Sequence, residues 1–214
     1  MLELVHVSKR PEPIALPEDV LLAVKDMNLK PDDGSKEVFI YALAHVNDPL
    51  LTTKLEPFDF SKHTKEEVEQ ISLNLVATMQ HYGGIGLSAN QVRLPYKVFV
   101  MRGSPPFVCF NPVLVELSTE TVKLEEGCLS FPGLIADINR PKHIKVRFQT
   151  PSGAFVTRTF TGMTARVIQH EMEHLDGEFF FDGIGRMRME KALTEAEKGG
   201  HNYRQFNLMK RAVS

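Results

Sequence analysis

Residues 169–177 read QHEMEHLDG and place two histidines, His170 and His174, four apart. On a helix that spacing stacks them on one face, about 6 Å apart at Cβ, so both imidazoles can reach one ion. Glu171 then sits one step around the helix, where its carboxylate can touch a water beside the ion rather than the ion itself. That arrangement is the mechanical reason for H-E-x-x-H in metal-dependent hydrolases. A catalytic site of this type needs a third protein ligand and one open position. Residue 180, where one group of such peptidases has a third histidine, is Phe180. Two kinds of third ligand remain. One is a downstream carboxylate, Glu190, Glu195 or Glu197, which would make a zinc endopeptidase. The other is Cys128, in EEGCLSFPG at residues 125–133, at the end of a strand and inside a glycine-containing turn. Most lone cysteines are small core hydrophobes. Cys109, within the apolar PFVCFNP, fits that description. A structural zinc site is a further alternative, but it needs a fourth protein ligand and gives Glu171 no task.

A third stretch, GGIGLSANQV at residues 83–92, is rich in glycine. It follows a helix rather than a strand and has no Lys-Ser/Thr, so it lacks the context of a phosphate loop. It reads either as a helix-ending turn or as a backbone path kept bare by Gly84 and Gly86, along which a substrate chain can approach closely. On the second reading the Gln91 amide points into the site.

These stretches need elements to hold them. Residues 64–82 form the clearest helix: Thr64 and Glu67 fit a capping box. Val68, Ile71, Leu75, Val76, Met79 and Tyr82 recur at helical spacing, and Gly83-Gly84 ends the run. YKVFVMR, PFVCFNP and VLVELSTETVKLE read as short strands. HIKVRFQTPSGAFVTRTF reads as a hairpin, with Ile144, Val146 and Phe148 alternating before a Pro-Ser-Gly turn. Residues 162–175 return to helix and carry H-E-x-x-H, and a last helix spans about 186–198. LPEDVLLAVKDMN (16–28) could form a short helix, KPDDGSKE (30–37) is turn-rich, and EVFIYALAHV (37–46) fits strand or helix equally well. Helix, then strands, then helix argues for an α+β fold with antiparallel sheets rather than alternating βαβ units.

The bulk numbers narrow the function classes. The chain has 214 residues with 25 basic and 27 acidic side chains, a net charge of -2 that leaves no electrostatic footprint for nucleic acid. No apolar run approaches the ~18 residues of a membrane span. The first twenty residues fit neither a secretory signal nor a transit peptide, so a cytoplasmic location is expected. Two cysteines make no disulfide framework, and a reducing compartment would preserve a thiolate ligand.

Taken together, GIGLSANQ (84–91), EGCLS (126–130) and QHEMEHLDG (169–177) resemble the peptide deformylases in motif, order and spacing. The resemblance spans about residues 47–190. Ser88 departs from the usual Ala of the family, and Glu173 from the usual Asp between the two histidines. The resemblance implies antiparallel sheets packed around the H-E-x-x-H helix, with an N-terminal helix. It also implies a division into a 1–46 extension of unknown role, a 47–198 catalytic domain and a 199–214 tail. It implies removal of the N-formyl group from the initiator methionine of nascent polypeptides, with release of formate. By position, Cys128, His170 and His174 would bind one divalent metal ion, ferrous iron as the native one, with zinc or nickel also suited to the ligand set. Glu171 would be the general base and acid, and Gln91 with the Leu129 backbone N–H would hold the oxyanion. Gly84, Ile85, Gly86, Val167 and His170 would border the methionine site, where the peptide adds to the sheet as an extra strand. Formyl-methionyl peptides are the expected partners, the ribosome is a candidate one, and neither a specific nucleic acid nor a membrane is expected. A metal that takes a bound water from a pKa of 15.7 to ~7 supplies roughly 12 kcal/mol, against ~3–4 for one oxyanion donor, so the metal is the larger effect.

Overall fold

A computed structural model describes residues 37–213. The short helix expected over 16–28 and nearly all of the 30–37 loop lie outside the described residues. Helix α1 (Lys65–His81) starts at the expected capping box: Glu67 N–H donates to Thr64 Oγ1 at 3.2 Å, and Thr64 N–H donates to Glu67 Oε2 at 2.8 Å. Strands β1 (Gly86–Ser88), β2 (Val98–Met101) and β3 (Phe107–Leu117) follow. Next come β4 (Thr121–Cys128), β5 (Phe131–Pro141), β6 (His143–Gln149) and β7 (Phe155–Thr161). Helices α2 (Gly162–Leu175), α3 (Arg186–Lys198) and α4 (Leu208–Val213) complete the described chain.

The strands form two antiparallel sheets, as an α+β fold requires. One has five strands in the order β1-β2-β3-β6-β7, and the other is the β4-β5 pair. Every residue of β2 is buried because the sheet is covered on both faces at this point. Val98 and Val100 pack with α1 residues such as Leu75, Val76 and Met79. Phe99 and Met101 point the other way, into a cluster with Phe107, Phe148, Phe160 and the α2 residues Ala165, Val167 and Ile168. Period-two alternation thus divides one strand between two helices. A third cluster joins Phe131, Leu134 and Ile138 of β5 to Phe179, Phe180, Phe181 and the α3 and α4 residues Met189, Leu193, Leu208 and Ala212.

Three expectations change. The run 113–125 is not one strand: Val113–Leu117 extends β3, and a Ser118–Glu120 turn, with Ser118 Oγ donating to Glu120 O at 2.8 Å, sends the chain into the second sheet as β4. Residues 131–141, read only as a turn at their start, form the long strand β5. Its inward positions Leu134, Ala136, Ile138 and Arg140 alternate, but Pro132, Gly133 and an inward arginine mask the pattern. The ambiguous 37–46 is neither strand nor helix. It runs extended along α1, with Phe39 N–H bonded to Asn74 Oδ1 at 2.9 Å and Tyr41 N–H to Thr78 Oγ1 at 3.0 Å.

The packing is continuous across the expected boundaries. Ala44 is buried, and its N–H donates to Gln91 O at 2.7 Å, so residues 37–46 rest directly on a segment of the site. At the other end, Gly183 and Gly185 donate their N–H groups to Arg211 O and Ala212 O, which seats the 199–213 segment on the body of the fold.

Candidate active site

Helix α2 carries His170, Glu171 and His174, and it packs against β1, β2, β5, β6 and β7. Its end is fixed by Gly177 (φ +76), where a Cβ would lie 2.7 Å from the Thr52 carbonyl carbon, so this turn admits only glycine. Strand β4 delivers Cys128 at a bulge between Glu126 and Cys128. The result is a cluster in which Cys128 Sγ and one ring nitrogen each of His170 and His174 lie within 4.8 Å of one another. Cys128 Sγ and His174 Nε2 are 3.1 Å apart. Ligands at about 2.1–2.3 Å from a tetrahedral ion are separated by roughly 3.3–3.8 Å, so small movements close this cluster on a metal.

The charge state suits that use. Burial opposes the charged form of the Cys128 thiol, but the adjacent His174 and His170 rings outweigh it and hold the thiol well below its usual range, as a metal-ligating thiolate requires. His170 Nδ1 lies 3.0 Å from Glu126 Oε2, an acceptor-only carboxylate, so this nitrogen carries the proton and Nε2 is left to face the cluster. Phe180, at the position where another ligand set would need histidine, stacks on the His170 ring with centroids 5.5 Å apart. His174 Nδ1 is buried and has no hydrogen-bond partner among the described residues.

Behind the cluster stands an ion-pair network on which the sequence offered only a hint, acidic residues beside Cys128. Glu126 accepts from Arg140 Nε at 2.5 Å and from Arg166 Nη1 at 2.6 Å, while Arg140 also grips Glu173 through Nη1 and Nη2 at 2.5 and 2.8 Å. Arg166 also donates to the carbonyls of Ile138 and Val122. Burial works against the charged Glu126, but His170 and Arg140 outweigh it and hold its pKa at about 2. The helical signal was present: Arg166 and Glu173 lie four before and three after His170. Arg140 sits on the strand that the pattern concealed.

In front of the cluster lies a cavity of about 330 Å³. Its lining brings together Gly84, Ile85, Gly86, Gln91, Cys128, Leu129, Val167, His170 and Glu171, all singled out from the sequence, and adds Met163 and Arg166. Glu171 is 4% exposed, and burial raises its carboxyl pKa, partly offset by the two histidines. Gln91 is held by Ser88 N–H, which donates to Oε1 at 2.8 Å, while Gln91 Nε2 donates to Ser130 Oγ at 3.0 Å and lies 3.4 Å from Cys128 Sγ. Gly86 is bare for a sharper reason than substrate access alone: the space for its Cβ is filled by the Glu171 carboxylate. Cys109 is 1% exposed in the core, and burial raises its thiol pKa well above the usual range.

The rival third ligands are elsewhere. Glu190 and Glu197 pair with Arg204 at 2.7 and 2.9 Å, and Glu195 pairs with Lys198 at 2.8 Å, all on exposed surface. Among the described residues, the group of acidic, histidine and cysteine side chains able to share an ion is Cys128, His170 and His174.

Comparisons with known proteins point to one family. The polypeptide deformylase family model matches residues 40–190. The chain is 37% identical over 161 residues to the peptide deformylase of Thermotoga maritima, covering 73% of this chain and 96% of that one. Among solved structures, a Synechococcus elongatus peptide deformylase in complex with actinonin superposes with a TM-score of 0.68 at 29% identity, covering 76% of this chain and 89% of that one. A Met-Ala-Ser-bound class I type b peptide deformylase from Acinetobacter baumannii gives 0.64 at 28% identity, covering 67% and 98%.

Proposed function

Because the chain belongs to the polypeptide deformylase family, we propose that Cys128, His170 and His174 hold its metal and that Glu171, Gln91 and Leu129 carry the proton and charge transfers. The activity is that of the family: metal-dependent hydrolysis of the N-formyl group from the formyl-methionine of newly made polypeptides, releasing formate. The observation that carries the assignment of residues is the closure of one thiolate and two imidazoles into a single cluster at the wall of a cavity lined by Glu171 and Gln91.

The ion, when bound, supplies the acidity that makes a water nucleophilic at neutral pH and the positive charge that polarises the formyl carbonyl. Glu171 takes the proton released by the attacking water and returns it to the leaving amine nitrogen. Burial keeps its basicity above that of an exposed carboxylate, which favours both transfers. Gln91 Nε2 and the Leu129 N–H donate to the oxygen as it becomes negative. The Glu126–His170 hydrogen bond fixes the ring orientation of one ligand. Strand β1 is an edge of the five-stranded sheet, so a peptide can pair with its backbone while the methionine side chain enters the cavity beside Ile85, Gly86 and Val167. Met-Ala-Ser bound to the Acinetobacter baumannii relative supports that class of ligand.

A thiolate and two imidazoles suit Fe(II), Zn(II) or Ni(II), and ferrous iron is our choice for the native ion. The H-E-x-x-H helix serves as the centre around which the sheets pack. Action on nascent chains points to the cytoplasm and the ribosome as the setting. Among the described residues, no helix is long and apolar enough to cross a membrane. The test is formate release from formyl-Met-Ala-Ser, run beside casein cleavage. Formate without casein products supports the reading, and casein products without formate overturn it in favour of an endopeptidase.

A further inference from the structure

The two oxygens of Glu171 are in unlike surroundings. Ser88 Oγ lies 2.8 Å from Oε2 and 2.9 Å from the Glu171 backbone carbonyl oxygen. Ser88 is fully buried and Glu171 nearly so, which shelters this hydrogen bond from water. Oε1 instead faces the bare backbone of β1, where a Cβ on Gly86 would lie 2.3 Å from it. The same residue 88 reaches the other side of the site through its main chain, donating its N–H to Gln91 Oε1 at 2.8 Å. The backbone bond survives replacement of the side chain. The bond to Glu171 requires a hydroxyl.

We propose that Ser88 is a positioning residue for the general base: by clamping Oε2 it reserves Oε1 as the oxygen that exchanges a proton with the reacting atoms. A glutamate carboxylate rotates easily about its last torsion, so its oxygens are interchangeable unless one is held. A hydroxyl donates one hydrogen, and a charged acceptor makes that bond stronger than a neutral one. Ser88 sits on the edge strand that lines the cavity, so it ties the base to the strand with which the peptide pairs. Base and substrate then keep a common frame, and misplacement of a catalytic group by an ångström can cost about a hundredfold in rate.

This inference rests on Glu171 as the base of formyl hydrolysis, and the experiment separates the two. Formate release by the parent chain and its loss by several orders of magnitude in Glu171→Gln test that reading; the Ser88 variants test this one. Ser88→Ala keeps the backbone bond to Gln91 and removes only the hydroxyl. We expect kcat to fall roughly tenfold, the loss of one hydrogen bond to a charged group, with KM and metal content within about twofold of the parent. Ser88→Thr, which retains a hydroxyl, should recover part of the loss. In a Glu171→Gln background, Ser88→Ala should cause no further fall, because the hydroxyl acts through the carboxylate. An unchanged kcat in Ser88→Ala overturns the proposal. So does a fall of equal size in both backgrounds, or a fall that tracks lost metal. If Ser88→Thr does not fold, the double-variant comparison decides alone.

Discussion

Replacing Gly86 by alanine tests the placement of the base with the smallest possible change. Gly86 does not lie in the left-handed region, so alanine introduces no backbone strain. Its Cβ would meet Glu171 Oε1 at 2.3 Å, Glu171 Cδ at 2.8 Å and Val167 Cγ1 at 2.9 Å. A carbon and an oxygen that are not bonded need about 3.3 Å, so the carboxylate must retreat by roughly 1 Å. The groups that must give way are the Glu171 carboxylate and a methyl of the buried, β-branched Val167, so the change should cost stability about 1–3 kcal/mol, the range of overpacking, without preventing folding. Catalysis should not. A 1 Å displacement of a catalytic group costs about a hundredfold, equivalent to ~2.7 kcal/mol of barrier. The assay is steady-state formate release from formyl-Met-Ala-Ser, with metal content and thermal midpoint measured on the same samples. We expect full metal, a midpoint lowered by several degrees and kcat down about a hundredfold. A variant with kcat within about threefold of the parent at full metal would refute Glu171 Oε1 as the proton-transferring atom.

Other outcomes follow from the same contacts. Cys109→Ser should keep its metal, whereas Cys128→Ser should lose most of its metal or its activity; equal metal content and activity in the two variants contradict the ligand assignment. Glu126→Gln leaves Arg140 and Arg166 short of an acceptor and should lower stability by about 3–5 kcal/mol at neutral pH, measured by urea unfolding. The Glu126 carboxyl falls from 4.5 to about 2 on folding, so its stabilisation is fully present above pH 4.5 and is lost as pH falls through about 2. The gap between parent and variant should therefore narrow across that window, and a gap independent of pH would contradict the pairing. A chain starting at residue 47 lacks the bonds of Phe39, Tyr41 and Ala44 to α1 and Gln91, and should be about 2–4 kcal/mol less stable than one starting at residue 37. Equal stability of the two would show that 37–46 is dispensable.

Much of the site was legible because its chemistry depends on short spacings. His170, Glu171 and His174 are set by one helix, and helical periodicity is the strongest local signal a sequence carries. Cys128 could be singled out by its unusual neighbours, but its approach to His174 depends on a bulge between two β4 residues, which periodicity does not reveal. The fold was legible where the local signal is strong, as in α1 with its capping box, and where burial alternates, as in β6 of the β6-β7 hairpin. It was obscure in β5, where a buried arginine occupies an inward position that hydrophobic alternation would assign to an apolar residue. Segment 37–46 resisted assignment for a physical reason: its backbone is satisfied by side chains of α1 rather than by a regular ladder. Ser88 looked like a minor departure from a motif, and only the fold brings it against a carboxylate 83 positions away in the chain.

If a metal held by Cys128, His170 and His174 drives formyl hydrolysis, activity must follow the occupancy of that one site. Metal titration of the stripped, anaerobic protein tests it most directly, with formate and newly exposed amino termini measured at each step. The stripped protein should release no formate, and added metal should then yield equal amounts of formate and free amine. Activity should rise linearly and saturate at one ion per chain, and Cys128→Ser should show no such saturation. Formate release that persists in stripped protein, or an identical titration of Cys128→Ser, would rule out this metal site as the source of activity.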